Sequence, residues 1–264
     1  MPLISETTAR REMAAVGRRM YERGFVIATD GNLSIRLGPH RFLVTRSGVC
    51  KGSLTTMDMV VCDDYGRIVR GHKVSSETLL HLAAYYLRPD INAVIHAHPP
   101  LAIAFTLADK NLAESRLPEV VMSLGSIPTA MFAAPSSPEG AEVIRDLIIK
   151  HDALILDRHG SLTVGKDLTD AYYKLERLEF AAQVTLAAVS LGEIKGLSPE
   201  EIRKIEKSIE FNRSCSLPRC PSCGEPLHLS KSVFCSQSGT ESSIKADTER
   251  LANLVQQIIK EGRM

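Results

Sequence analysis

Apolar positions recur along this chain at two periods, and the changes between them divide it into elements. Over residues 5–24, Ala9, Met13, Val16 and Met20 fall at three- and four-residue spacing, the period of one helix face. Ser5 is placed to cap that helix and Gly24 to end it. The period then drops to two. Leu33, Ile35 and Leu37 precede a Gly38-Pro39 turn and the run Phe42, Leu43, Val44. A second hairpin signal is Met59-Val-Val-Cys62, the turn Asp63-Asp-Tyr-Gly66, then Ile68-Val69.

Further on, Ser75 or Ser76 caps a predicted helix carrying Leu79, Leu80, Ala83, Ala84 and Leu87 and stopped by Pro89. Ile91, Ala93, Val94 and Ile95 predict a buried strand, halted by Pro99-Pro100. Ser137-Pro138-Glu139 opens a helix with Val143, Leu147 and Ile148 apolar, leading into a strand over 153–156. Asp167 caps a long helix to about residue 191, and Ser198-Pro-Glu-Glu201 is a capping box for a helix to about Asn212. Early hairpins argue against a simple alternating parallel sheet, so the pattern predicts an α/β sandwich with a mixed, mostly antiparallel sheet. After Arg213 the pattern breaks. The expected division is a main domain over 1–212 and an appendage over 213–264, which ends in an amphipathic helix with Leu251, Leu254, Val255, Ile258 and Ile259 on one side.

At 264 residues the chain is long enough for one large domain with an appendage. Its 32 basic and 31 acidic residues balance, which points away from nucleic acid and from anionic membranes as partners. No apolar run approaches the roughly 18 residues of a membrane span, and the N-terminus lacks the apolar core of a signal peptide, so a cytoplasmic location is expected. Cys215, Cys220, Cys223 and Cys235 crowd near the C-terminus. In a reducing compartment that cluster reads as a structural metal site, with His228 as a further candidate ligand, or as free thiols in a tail.

Candidate chemistry gathers in four places. His96 and His98 end the predicted strand, where i and i+2 side chains point to one face. That is half of a metal site, or two hydrogen-bonded histidines. His159-Gly160 follows the strand over 153–156 and supplies a third strand-end imidazole, or a loop histidine. Ser75-Ser76-Glu77 lies at a helix start, where backbone N–H groups favour an anion, although the same residues suit a plain cap. Two turns, Thr29-Asp-Gly31-Asn32 and Thr45-Arg46-Ser47-Gly48, offer N–H groups and small donors to a phosphate, or simply connect strands. Arg46 and Lys51 read as surface charges.

In this order and spacing, the Gly-Asn turn, the Ser-Gly turn, Ser-Ser-Glu, His-x-His-Pro-Pro and His-Gly resemble the class II aldolase/adducin family over about residues 5–212. The resemblance implies a three-layer α/β/α sandwich with a mixed, mostly antiparallel central sheet, assembled as a homotetramer with active sites at subunit interfaces. It implies that His96, His98 and His159 ligate one Zn2+ or other divalent ion, with Glu77 as a resting ligand that swings away to act as base. Gly31, Asn32, Ser47, Gly48, Ser75 and Ser76 would hold a substrate phosphate. The implied reaction is reversible cleavage of a phosphorylated ketose, of the L-fuculose 1-phosphate kind, to dihydroxyacetone phosphate and a small aldehyde.

One element of that pattern is missing. Aldolases of this family use tyrosines after His-Pro-Pro and near the C-terminal helix, whereas this chain has none between Tyr86 and Tyr172 and none after Tyr173. Glu119 lies in about the right region but reads as a solvated acid. A 4-epimerase, dehydratase or decarboxylase on the same scaffold is the alternative, Ser-Ser-Glu rather than Ser-Ser-Asp weighing against the epimerase. A non-catalytic adducin-like module is disfavoured because all three histidines are present.

Overall fold

A computed structural model describes residues 4–110, 112–113 and 117–214. Helix α1 (Glu6–Glu22) begins where Ser5 Oγ accepts the Thr8 N–H at 3.2 Å, and it buries Ala9, Met13, Val16 and Met20, the face marked by their spacing. Strands β1 (Asn32–Gly38) and β2 (Arg41–Thr45) form the first hairpin, and β3 (Met59–Cys62) with β4 (Ile68–Arg70) the second. Then come α2 (Thr78–Leu87), β5 (Ala93–Ala97), α3 (Pro100–Leu107), α4 (Pro118–Leu124) and β6 (Thr129–Ala130). After them run α5 (Glu139–Val143), α6 (Arg145–Ile148), β7 (Ala153–Leu156), β8 (Gly160–Gly165), α7 (Leu168–Leu191) and α8 (Pro199–Ser214).

The strands form one sheet in the order β4-β3-β2-β1-β5-β8-β7-β6. Neighbours are antiparallel except β6 and β7, so the sheet is mixed and mostly antiparallel, as the early hairpins predict. Strand periodicity then gives each face of the sheet an apolar core. Phe42, Val44, Val60, Cys62, Val94, Leu154 and Leu162 pack with α2, α5 and α6 on one face. Leu33, Ile35, Leu43, Met59, Val61, Ala93 and Ile95 pack with α1 and α7 on the other. Helices on both faces of one sheet make the α/β/α sandwich.

Several boundaries differ from expectation. Helix α2 starts at Thr78 with Glu77 as its N-cap residue, so neither Ser75 nor Ser76 is the cap. The reason is local: the Ser75 carbonyl already accepts from both Thr78 N (3.1 Å) and Thr78 Oγ1 (2.7 Å), which closes a separate turn ahead of the helix. The helix expected after Ser137 breaks at Ile144 into α5 and α6. Helices α3 and α4 and strands β6 and β8 are elements that periodicity did not reveal. The α3 stretch Pro-Leu-Ala-Ile-Ala-Phe-Thr-Leu has no polar face to give it a period, and β8 is bracketed by glycines. Asp167 and Ser198 do cap their helices: Asp167 Oδ1 accepts from Asp170 N at 2.8 Å, and Ser198 and Glu201 exchange a reciprocal capping box.

Helix α8 runs to Ser214, through the boundary expected near residue 213, and packs against α4. Cys215, Cys220, Cys223, His228, Cys235 and the final helix predicted around Leu251 lie outside the described residues. Among the described residues no helix is long and apolar enough to cross a membrane.

Candidate metal centre and active site

Strands β1 and β5 are adjacent in the middle of the sheet, with Asn32 paired to His96. On β5 the side chains of Ala93, Ile95 and Ala97 enter the α1/α7 core, so His96 points to the α2 side, and His98 continues that phase past the strand end. The His98 N–H donates to the Phe25 carbonyl at 2.8 Å, which fixes its backbone. Helix α3 starts two residues later because the buried Glu179 carboxylate of α7 accepts the N–H groups of Leu101 (2.9 Å) and Ala102 (3.0 Å). His159 arrives on a separate hairpin, in the loop 157–159 between β7 and β8, with Arg158 at φ +55 and Leu156 paired to Gly160.

The three rings converge with centroids 4.7, 4.9 and 5.3 Å apart. One ligand nitrogen from each lies within 4.8 Å of the others. Gly160 is what allows the hairpin so close. A Cβ there would lie 2.4 Å from the Ala97 carbonyl oxygen, 2.8 Å from His98 Cδ2 and 3.1 Å from His96 Cε1. Gly160→Ala should therefore push β8 off β5, costing about 1–3 kcal/mol by overpacking and weakening metal retention at least about tenfold. Calorimetry and metal content after dialysis check this; unchanged values in both would refute the close-packing role.

Hydrogen bonds on the far side of the rings determine which nitrogens are free. His96 Nδ1 lies 2.9 Å from the Ser161 carbonyl, which only accepts, so Nδ1 carries the proton. His98 Nδ1 faces the Asp30 carboxylate at 3.4 Å, again an acceptor. The two Nε2 atoms are then bare lone pairs 3.0 Å apart, a repulsive arrangement that a cation between them relieves. Neutral imidazole nitrogens freed in this way are the donor type that zinc takes. Burial, then repulsion from His98 and His159, holds the His96 pKa well below its usual value. His98 and His159 are lowered by burial as well, with Asp30 and Glu77 pulling respectively in the other direction. Three neutral imidazoles, two of them oriented by an acceptor behind the ring, fit a divalent metal.

Glu77 stands apart from the three-imidazole group. Its Oε1 accepts the N–H of Ser136 and lies 2.9 Å from Ser136 Oγ, which is in turn 2.8 Å from Ser76 Oγ. Glu77 and His159 nevertheless line one cleft, together with Asp157, Met131 and Ala134. Ser136, left-handed at φ +62, is a holder of Glu77 that no sequence signal marked.

The segments expected to hold a phosphate are contiguous. Ser47 N donates to the Lys73 carbonyl at 3.0 Å and Arg46 bridges to Val74, joining the second turn to the strand-like approach to Ser75. Gly31 (φ +70) must be glycine, because a Cβ would meet Val26 Cγ1 at 2.5 Å and the His96 carbonyl at 2.9 Å. Lys51 corrects the sequence reading. It is 2% exposed, not a surface charge, and its Nζ donates to the Thr29 (2.7 Å) and Val49 (2.6 Å) carbonyls, tying both glycine turns together. Arg46 does sit at the surface, paired to Asp58 at 2.7 Å. Glu119 is exposed on the first turn of α4.

Burial pushes the Lys51 pKa from the usual 10.5 down to about 8, against weaker opposing pulls from Cys50 and Asp30. Below pH 8 the ammonium is charged in both folded and unfolded chains; between about 8 and 10.5 only the unfolded chain holds the proton. Stability should therefore rise with pH across that window, by up to about 3 kcal/mol from this group. Denaturant midpoints should show the rise in the wild type and not in Lys51→Met; parallel pH profiles would refute it.

Comparison with known proteins identifies the family and the fold. The family model described as the class II aldolase and adducin N-terminal domain matches residues 11–186. An L-fuculose phosphate aldolase from Methanococcus maripaludis is 38% identical over 173 residues, covering 66% of this chain and 93% of the relative. A 3-oxo-tetronate 4-phosphate decarboxylase from Haemophilus influenzae is 31% identical over 207 residues, covering 77% of this chain and 98% of the relative. A solved L-fuculose 1-phosphate aldolase superposes with a TM-score of 0.72 at 27% identity, covering 79% of this chain and 99% of that one. The chain belongs to the class II aldolase and adducin family, and with its three imidazoles gathered it stands among the family's metal-dependent enzymes.

Proposed function

We propose that the protein is a zinc-dependent aldolase that reversibly cleaves a phosphorylated ketose, L-fuculose 1-phosphate or a near analogue, to dihydroxyacetone phosphate and a small aldehyde. The observation that carries this reading is that Glu77 lines one cleft with His159, the imidazole that gathers with those of His96 and His98. His96, His98 and His159 would hold the ion, which as a Lewis acid supplies stabilisation of the negative charge that develops beside the ketone. Glu77, released from Ser136, would pass as base or acid the proton that leaves or joins the dihydroxyacetone phosphate carbon, and would ligate the ion at rest. Gly31, Asn32, Ser47, Gly48, Ser75 and Ser76 would grip the phosphate, with Lys51 holding the two turns in register, so that the reacting carbons meet Glu77 in a fixed pose. A homotetramer with active sites at subunit interfaces completes the proposal.

The absence of tyrosine between Tyr86 and Tyr172 favours a second reading, decarboxylation of a phosphorylated 3-oxo acid. Loss of carbon dioxide generates the same kind of enolate but releases no aldehyde, so no group is needed to exchange a proton with an aldehyde oxygen and the missing tyrosines would not be felt. A panel of ketose 1-phosphates, ribulose 5-phosphate and a phosphorylated 3-oxo acid, with products identified, tests the two. Aldehyde with dihydroxyacetone phosphate establishes the aldolase; carbon dioxide release alone overturns it.

A further inference from the structure

A buried chain of hydrogen bonds runs from α2 to the first residue of β1. His81 is 1% exposed; its Nε2 approaches Asn32 Oδ1 and its Nδ1 lies 2.7 Å from Ser34 Oγ, which lies 2.9 Å from the Tyr85 hydroxyl. Strand and helix periods make this meeting possible, since residues 32 and 34 share one face of β1 while residues 81 and 85 are one helical turn apart.

The far end of the chain sets its direction. Besides Ser34, the Tyr85 hydroxyl meets the Val94 backbone N–H, which donates to it, and the Asn92 carbonyl, which lies farther off at 3.5 Å and already accepts the Arg36 N–H at 2.9 Å. Ser34 Oγ, at 2.9 Å, is the nearer acceptor for the Tyr85 hydroxyl proton, and with Tyr85 donating to it Ser34 donates to His81 Nδ1. The one proton of the neutral imidazole is left on Nε2, where it is donated to Asn32 Oδ1. An asparagine whose oxygen is engaged must turn its nitrogen the other way. Nothing among the described residues accepts from Asn32 Nδ2, and β1 places this amide opposite His96.

We propose that His81 is a positioning residue of the phosphate pocket: it locks the Asn32 amide so that N–H donors, and not the carbonyl oxygen, face the anion. The inference rests on the assignment of Asn32 to that pocket. Freed from His81, the amide could turn its oxygen toward the anion, replacing attraction with repulsion. No local sequence signal marks His81, because the partner that gives it a role comes 49 residues earlier in the chain.

Two variants of the metal-loaded, full-length protein separate this role from bulk packing. His81→Gln places an amide N–H where Nε2–H was, whereas His81→Asn keeps only a partner for Ser34. By calorimetric titration with inorganic phosphate, His81→Asn should bind about tenfold more weakly and His81→Gln within about threefold of wild type. Wild-type binding in His81→Asn, together with weakened binding in Asn32→Ala, would overturn the positioning role and leave the pocket standing. Wild-type binding in Asn32→Ala would instead overturn the pocket assignment on which the role depends. If His81→Asn does not fold, long-range proton–nitrogen correlation on the wild type decides: an Nε2–H tautomer at His81 supports the proposal and an Nδ1–H tautomer overturns it.

Discussion

Replacing His96 by alanine should strip the protein of its divalent metal and lower kcat/KM by at least about a thousandfold, or about 4 kcal/mol of transition-state stabilisation. Of the three imidazoles His96 is the most deeply set, 1% exposed and anchored through Nδ1 to the Ser161 carbonyl. Its loss leaves two ligands, one of which rides on a loop. His159→Ala should lose metal and activity as well, with less damage to the fold because that side chain is only half-buried. Metal analysis after dialysis, activity and thermal melting check both variants. A chelator should lower the melting temperature of the wild type and leave that of His96→Ala unmoved, because a ligand stabilises only the state that binds it. A variant without metal that kept full activity would remove the three-imidazole site from the chemistry.

Glu77→Gln should slow exchange of the dihydroxyacetone phosphate proton with solvent by about 10²–10⁴-fold, the range for loss of a positioned acid–base group. Glutamine keeps the size and can still accept the Ser136 N–H through its oxygen, so the loop around Ser136 should stay in place. Metal content should be unchanged, because the three imidazoles come together without Glu77. Deuterium incorporation followed by proton NMR, read beside metal analysis, separates the two roles proposed for this residue. Unchanged exchange rules out Glu77 as the base, and loss of metal with the exchange identifies it as a ligand the ion cannot do without.

Much of the site was legible one segment at a time. The i, i+2 spacing of His96 and His98 at a strand end specifies that they share a face, because strand geometry has a period of two whatever the rest of the chain does. His159 beside a glycine was a visible candidate, but the reason for the glycine was not: Gly160 abuts Ala97, His98 and His96, residues more than 60 positions earlier. Lys51 shows the limit most clearly. Its neighbours Cys50, Gly52 and Ser53 carry no signal of burial, and the ammonium is enclosed because two segments distant in the chain fold over it and present the Thr29 and Val49 carbonyls.

The sequence by itself determined the α1 face, the two early hairpins, the caps at Ser5, Asp167 and Ser198, and the mostly antiparallel sheet they imply, all of which depend on residues within a few positions of one another. Only the tertiary structure decided which nitrogens of His96 and His98 are free, that Ser136 holds Glu77, and that Lys51 and His81 are buried. The His96 contacts follow from sheet register, which places Asn32 against His96 and Ser161 against Ala97, and the others from loops brought together by the sandwich. Register is set by packing across the whole sandwich, and no local period encodes it.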